Sequence, residues 1–350
     1  MKKRLIYSSL IISILAALIV ASFPRLRYLT LHSLSSLESS SVDYNLGDCY
    51  CKGRGVERDL KQAEHHYLKA AQRNHAKAMY KLGNLYCHRH GIQKGQEVEE
   101  DFWRDIPLDL PAAIKWYGYA AHQECPQAYV RLGYLNLEGV GMPINYRQSL
   151  YWYRKAAKAK RSRGQGWLGY FYSHGLDREQ EWEHLKNYCW DDIKKDYAKA
   201  LKWYLKAANQ KLEIAQYMVG FFYSHGALND PNSPNSPILF IPGIPLDYRE
   251  AAYWYKKAAQ QGHRIAMRKL GFLYLHGGYG LQKDLQKAFS WYLKGAWAQD
   301  EVCMRKVAYC YEGGLGVEQD TALAIEWYKK AAQRNDLLSQ HILDTWGGGA

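Results

Sequence analysis

At 350 residues, with 47% apolar and 23% charged, the chain folds rather than staying disordered, and its mean hydropathy of −0.48 leaves room for at most one membrane segment. A polytopic transporter is thereby excluded. The formal net charge of +13 raises nucleic acid as a partner, yet no zinc-finger spacing, RNA-recognition motif or contiguous basic arm is present. Much of the basic charge lies instead in Lys-Ala-Ala tails at Lys69, Lys155, Lys206, Lys257 and Lys330, where a cation complements the negative end of a helix dipole.

The chain opens with Lys2, Lys3 and Arg4, then runs without charge through residues 5–23 to Pro24. Basic start and apolar run together form an export leader; its length exceeds a signal-peptide core of ~7–15 residues and reaches the ~17–25 that span a bilayer. A cleaved signal and an uncleaved anchor over residues 1–23 both stay open. Positive-inside logic puts the rest of the chain outside the cytoplasm, in the periplasm of a bacterium. Residues 24–41, with Ser33, Ser35, Ser36, Ser39, Ser40 and Ser41, read as a Ser-rich linker.

Beyond it the sequence repeats itself. Lys-Leu-Gly-Asn-Leu-Tyr at 81–86 returns as Arg-Leu-Gly-Tyr-Leu at 131–135 and Lys-Leu-Gly-Phe-Leu-Tyr at 269–274. Aligned on the glycine, the anchors are Gly47, Gly83, Gly133, Gly169, Gly220, Gly271 and, substituted, Ala308, spaced by 36, 50, 36, 51, 51 and 37 residues. A second half recurs as Trp-Tyr-x-x-Ala-Ala, for example at Trp116-Tyr117 and Trp327-Tyr328. The apolar positions of the first half have helical period. Asp59, Asp109, Asn145, Asp196, Asp247, Asp284 and Asp320 stand where N-caps of the second helix belong. Gly53, Gly139, Gly175, Gly226 and Gly277 supply flexible stops for the first. One helix pair cannot bury both faces, so the pairs must stack over residues 42–335 around a continuous core, closed by a capping helix and tail at 336–350.

The pattern Ala-x-x-x-Leu-Gly-x-Leu-Tyr, Gly-x-Gly-Val, Asp-x-x-x-Ala, Trp-Tyr-x-x-Ala-Ala resembles the Sel1-like repeat family, relatives of the tetratricopeptide repeats. The expected fold class is all-α, a right-handed α-solenoid of about seven antiparallel helix-pair repeats with three inserted inter-helix loops. Similarity to this family implies protein–protein interaction rather than a reaction. Its cysteine-rich bacterial branch carries regular cysteine pairs in each repeat; those are absent here, and the penicillin binding attached to that branch is not carried over.

Three repeats carry extra residues between their helices, at about 89–107, 176–195 and 227–246. Insertions on one edge of a solenoid often mark the binding face. The first two place Phe102, Trp103, Trp182, Tyr188 and Trp190 among acidic residues; the inserts together carry −5 and the rest of the chain +18. The third, rich in Asn, Ser and Pro, ends in an apolar tip over residues 238–242 that includes Phe240 and Ile241, as a mobile arm that either folds back on its own repeat or docks on a partner. One residue after the anchor stands an aromatic column, Tyr134, Tyr170, Phe221, Phe272 and Tyr309, either a concave recognition ladder or packing between adjacent helices.

His88, His174, His225 and His276 form another column. Ligand nitrogens must lie ~2.0–2.1 Å from a shared zinc ion, whereas stacked helices are ~8–10 Å apart, so these histidines are expected at helix C-termini and not on a metal. No cofactor is expected. Among seven cysteines, Cys51 and Cys87, at equivalent places in neighbouring repeats, are the best-placed disulfide candidates. Neither a nucleophile elbow nor a phosphate-binding loop nor a metalloprotease helix is present, so no catalytic residue is assigned. The expected function is a non-enzymatic adaptor of the bacterial cell envelope that binds another protein through its inserts and aromatic column, with the membrane engaged only through the N-terminal segment. Two alternatives are a periplasmic immunity protein that blocks a secreted effector such as a lipase, and a module that binds cell-wall glycan through exposed Trp and Tyr.

Overall fold

The computed structural model describes residues 24–34, 39–87, 106–175, 194–227 and 241–347. Sixteen helices and one short strand pair make up these residues, and the fold is an all-α solenoid. Two compact units, Met1–Ala159 and Lys160–Ala350, divide the chain.

In the N-terminal unit, α1 (Pro24–Ser33) precedes three antiparallel pairs: α2 (Ser40–Lys52) with α3 (Leu60–Gln72), α4 (Ala76–Tyr86) with α5 (Leu110–His122), and α6 (Pro126–Glu138) with α7 (Tyr146–Lys158). The C-terminal unit holds four more: α8 (Ser162–His174) with α9 (Tyr197–Asn209), α10 (Glu213–Ser224) with α11 (Tyr248–Ala259), α12 (Arg264–His276) with α13 (Leu285–Trp297), and α14 (Glu301–Gly313) with α15 (Thr321–Ala332), followed by α16 (Leu337–Gly347). These are repeats 1 to 7, each with a first helix A and a second helix B.

One contact recurs through both units. The anchor glycine of helix A lies under the tyrosine ring of helix B: Gly47 under Tyr67, Gly83 under Tyr117, Gly133 under Tyr153, Gly169 under Tyr204, Gly220 under Tyr255 and Gly271 under Tyr292. A Cβ on Gly83 or Gly220 would come within 2.6 Å of ring carbons, so the glycine is what allows the two helices their approach. Repeat 7 alone has a methyl there, with Ala308 and Tyr328 both buried. The seven expected N-caps also form. Each of Asp59, Asp109, Asn145, Asp196, Asp247, Asp284 and Asp320 accepts a backbone N–H of the first helical turn, at 2.8–3.1 Å.

Four expectations change. Residues 24–33, within the expected linker, form α1, and α1 takes the place of a helix B. The second loop glycine of repeat 7, Gly316, lies against the backbone of Leu285 and Gln286 at the start of α13, and Gly55 of repeat 1 lies in the same way against Pro24 and Arg25. Correspondingly, Phe289 meets Tyr311 edge-on at 5.3 Å and Tyr28 meets Tyr50 edge-on at 5.7 Å. Ser40 and Ser41, also assigned to the linker, begin α2.

Secondly, Gly226 is no helix stop. His225 ends α10, and Gly226 starts β1 (Gly226–Ala227), paired in parallel with β2 (Ile241–Pro245). The glycine serves close approach instead, since a Cβ there would meet the Ile244 and Pro245 carbonyls at 2.6 and 2.5 Å. Thirdly, of the two alternatives for the apolar tip of the third insert, Ile241 takes the first and folds back on its own repeat. Ile241 and Ile244 are 4% and 2% exposed and pack on Val219, Phe222 and Tyr204, while the Ile241 N–H donates to the His225 carbonyl at 2.7 Å. Fourthly, Cys51 and Cys87 are free thiols, as are Cys49, Cys303 and Cys310. Burial raises the thiol pKa of Cys49 and Cys303 and pushes that of Cys310 up to about 11, so these groups stay protonated and unreactive.

Past repeat 7, Asp336 caps α16 through the Ser339 N–H and hydroxyl and pairs with Arg305 at 2.8 Å. Ile342, Leu343 and Trp346 of this helix lie over Ala308, Ala324 and Tyr328. No helix among the described residues is long and apolar enough to cross a membrane; the leader lies outside them.

Candidate partner-binding face

Each helix A turns its anchor residue, glycine or in repeat 7 Ala308, inward, toward a tyrosine of helix B. Residues one and five places further on fall on a different stripe of the helix, and their chemistry differs between the units. In repeats 1 and 2 the residue after the anchor is polar and bonded inward. Asp48 accepts the Tyr67 hydroxyl at 2.9 Å and pairs with Lys81 at 3.0 Å and with Lys52. Burial raises the Asp48 pKa, but Lys52, Lys81 and Tyr67 outweigh it and hold the carboxyl at about 2. Asn84 accepts the Tyr117 hydroxyl at 2.9 Å. Repeat 3 has Tyr134 there, half-buried above the buried Arg131 at 5.8 Å; Arg131 also donates to the Tyr117 hydroxyl at 3.3 Å.

Repeats 4 to 7 place rings at this position. Tyr170, Phe272 and Tyr309 are 42%, 46% and 46% exposed, and Phe221 is half-buried. Tyr170, Phe272 and Tyr309 thus face outward, whereas Phe221 packs in part against the core around Val219 and Phe222. One turn later stand the histidines, and the two columns prove to be one. Tyr170 stacks on His174 and Phe221 on His225, both with centroids 4.1 Å apart, while Phe272 meets His276 at 4.5 Å. Sequence reading treated the columns separately, although an i, i+4 spacing puts them on one helical face.

Hydrogen bonding fixes the imidazoles at the helix ends. His174 Nδ1 lies 3.0 Å from the Tyr170 carbonyl and His225 Nδ1 3.0 Å from that of Phe221. The preceding serines, Ser173 and Ser224, give their hydroxyl protons to the Tyr170 and Phe221 carbonyls at 2.8 and 3.0 Å. With those protons committed, Nδ1 is the donor toward the backbone and Nε2 remains the acceptor in the neutral ring. The Ser173 and Ser224 hydroxyl oxygens also lie 2.9 Å from the His174 and His225 Nδ1 atoms, so serine and histidine together cap the helix C-terminus. Burial lowers the His225 pKa. His88 lies outside the described residues, among which no group of three or more His, Cys, Asp or Glu is placed to hold a metal ion.

The basic tails have a structure that sequence reading missed. Lys206, Lys257, Lys294 and Lys330 lie over Trp203, Trp254, Trp291 and Trp327 of their own helices, at 4.1–4.9 Å, and Lys155 covers Trp152 at 5.4 Å. The Trp-x-x-Lys spacing inside the repeat motif was the available signal. A second missed feature is apolar. Ile214, Ile265 and Leu338 occupy one offset near the start of their helices, each exposed, and Trp297 is 66% exposed. Phe102, Trp103, Trp182, Tyr188, Trp190 and Phe240, the insert residues expected to bind a partner, lie outside the described residues.

The profile of the Sel1 repeat family matches residues 41–75, 76–125, 126–160, 162–181, 188–212, 214–233, 241–263, 264–296 and 302–336. The chain belongs to the Sel1 repeat family. Nine matched segments correspond to seven helix pairs because repeats 4 and 5, split by inserts, are each matched in two parts. Sel1 repeats mark the chain as a protein–protein interaction scaffold. It is similar to the crystal structure of a protective antigen present in uropathogenic Escherichia coli strains, described as displaying the same repeat fold, with a TM-score of 0.74 and 26% identity over 92% of this chain and 60% of that one. A Sel1 repeat protein from Oxalobacter formigenes superposes with a TM-score of 0.58 at 29% identity, covering 75% of this chain and 90% of that one. Among curated proteins, chitin synthase regulatory factor 3 of Schizosaccharomyces pombe is 28% identical over 55% of this chain and 17% of its own length. Chitin synthase regulator SKT5 of Saccharomyces cerevisiae is 26% identical over 65% of this chain and 33% of its own. The chain therefore spans a third or less of the length of these two relatives.

Proposed function

We propose that this Sel1 repeat protein is a non-enzymatic adaptor of the bacterial cell envelope, carried out of the cytoplasm by residues 1–23, that grips a partner protein on the helix A face of repeats 4 to 7. The observation that carries the reading is the exposure of Tyr170, Phe272 and Tyr309 at one repeat position. Rings with wet edges supply large contact area at small conformational cost, and aromatic residues are enriched where proteins bind one another. The inserts flank this face in sequence, since residues 176–193 follow directly on α8. The leader supports the compartment.

The test is to express the tagged chain with its own leader, crosslink in intact cells, and compare the envelope proteins recovered with wild type and with a Tyr170→Ala, Phe272→Ala, Tyr309→Ala variant. Loss of a stoichiometric partner from the variant, at unchanged helicity, is the expected result. Recovery of a secreted toxin or lipase would make the chain an immunity protein. Equal recovery with both forms would remove this face from the account.

A further inference from the structure

The helix A face of repeats 4 to 7 carries cations and no carboxylate. At the offsets that share it, two places before the anchor and one and five after, stand five aromatic rings, three histidines, Lys269 and Lys306, with no Asp or Glu. Lys306 lies over the Tyr309 ring at 5.5 Å. Lys269 is different. It is half-buried and makes no ion pair with any described residue, and burial, with Arg268 beside it, pushes its ammonium below the ordinary range. Arg268, its neighbour, faces Asp300 at 3.9 Å.

Repeat 2 shows a lysine at this offset with an anion beside it. Lys81 holds the same offset in repeat 2 as Lys269 does in repeat 6, and it meets Asp48, one place after the anchor of the preceding repeat, at 3.0 Å. Burial lowers the Lys81 pKa, but Asp48 more than compensates and the net shift is upward. In repeat 5 the position of Asp48 is taken by Phe221. A partly desolvated cation thus stands next to the repeat whose Phe221 replaces the anion that repeat 1 supplies as Asp48. Its charge also contributes to lowering the pKa of His225, on the aromatic rung of Phe221.

We infer that the missing anion comes from the bound partner: an extended acidic segment of a protein places a carboxylate at Lys269, as Asp48 is placed at Lys81, and lays apolar side chains on the rungs of Tyr170, Phe221, Phe272 and Tyr309. Neighbouring helices in a layer lie about 8–10 Å apart, which is about one turn of a polyproline-II segment, three residues at ~3.1 Å each, so successive rungs match every third side chain on one side of such a segment. Two lysines over four rungs are too few to track the phosphates of a nucleic acid, where a basic groove follows the backbone. This inference rests on the proposed reading of the face and specifies its ligand.

It is tested by fluorescence anisotropy on the full chain, using a labelled peptide of four Glu-Ser-Phe triplets beside one of four Lys-Ser-Phe triplets and an oligothymidylate. The glutamate peptide is expected to bind, at least tenfold more tightly than the lysine peptide, and both Lys269→Met and Phe272→Ala are expected to weaken it about tenfold. Lys269→Met removes a desolvated charge and keeps the side chain's length, so thermal unfolding should show it no less stable than wild type. Equal binding of the two peptides, no binding of the glutamate peptide, or indifference to Lys269→Met would overturn the inference. Tighter binding of oligothymidylate through Lys269 would replace it with a nucleic-acid ligand. The cellular partner separates the two levels: lost from the three-ring variant but kept by Lys269→Met, it sinks the acidic segment alone, whereas kept by both it sinks the reading beneath.

Discussion

The two units are built from the same helix pair and differ in what that pair shows to its surroundings. In the N-terminal unit, Asp48 and Asn84 spend their polarity on the tyrosines and lysines around them, and Lys81 is neutralised within the fold. In the C-terminal unit the same offset holds Tyr170, Phe221, Phe272 and Tyr309, and Lys269 has no anion among the described residues. The exchange leaves the steric Gly–Tyr contact in place, because a side chain at this position meets the tyrosine only at its hydroxyl, as Asp48 and Asn84 do. One column can therefore turn a self-contained repeat into one with outward-facing chemistry without altering the core.

The largest effect should come from what the units share. Gly83→Val and Gly220→Val drive a side chain into Tyr117 and Tyr255 respectively, and each is expected to lose about 3 kcal/mol in chemical denaturation, alike in either unit. Ala308→Gly, where a methyl is already accommodated, should lose only about 1 kcal/mol. A much larger loss in one unit than in the other would break the premise of a common scaffold.

Next is a contrast between neighbouring repeats. The Tyr255 hydroxyl bonds Ser224 at 2.8 Å, whereas the buried Tyr292 hydroxyl has no partner among the described residues, the equivalent of Ser224 being Leu275. Tyr255→Phe should therefore destabilise by about 1 kcal/mol and Tyr292→Phe should stabilise by about 1–2 kcal/mol, read from denaturation midpoints. Equal effects would show that the bond to Ser224 makes no difference at this position.

Two smaller effects depend on pH. His75 in the first unit and His263 in the second each accept a helix N-terminal N–H through Nδ1, from Ala78 at 3.2 Å and Ala266 at 3.1 Å, so only the neutral imidazole serves. Burial lowers both pKa values below the ordinary 6.5. The unfolded chain then takes up protons first. Stability from these caps is fully present above pH 6.5 and falls as pH drops through the lowered folded-state values. His263→Asn keeps a capping side chain without the titration, and should flatten the decline between about pH 7 and 5 while changing stability at neutral pH by less than about 1 kcal/mol. Asp48 works at lower pH and only in the N-terminal unit. Its folded pKa of about 2, against 3.8, gives stability that is present above 3.8 and lost as pH falls through 2, and Asp48→Asn should remove that component from acid titrations.

Local rules made much of this fold legible. An Asp four residues before a small residue reads as an N-cap because the cap needs only its own first turn, and the anchor glycines recur because each pair must solve the same steric problem. Less could be read where distant chain decides. No anchor glycine marks α1, because it copies only a helix B, and its Tyr28 is recognisable only beside Tyr50. Gly226 looks like the other loop glycines until β2 returns from residue 241 to lie against it. The aromatic column was visible in sequence, but whether it pointed into a seam or outward depended on how each helix A is rotated about its axis, which the Gly–Tyr contact sets. The pairing of rings with histidines was within reach of sequence reading; the anion missing at Lys269 was not, because it is seen only by superposing repeat 6 on repeat 2.

The measurement closest to the central claim places a photocrosslinking benzoylphenylalanine at Phe272, at Tyr309 or at Tyr134, one ring replacing another at the same offset in the two units, and looks for adducts in intact cells. Adducts from positions 272 and 309, with none from 134, are the predicted result. Adducts from 134 alone, or from none of the three, would contradict the assignment of the binding face to the C-terminal unit.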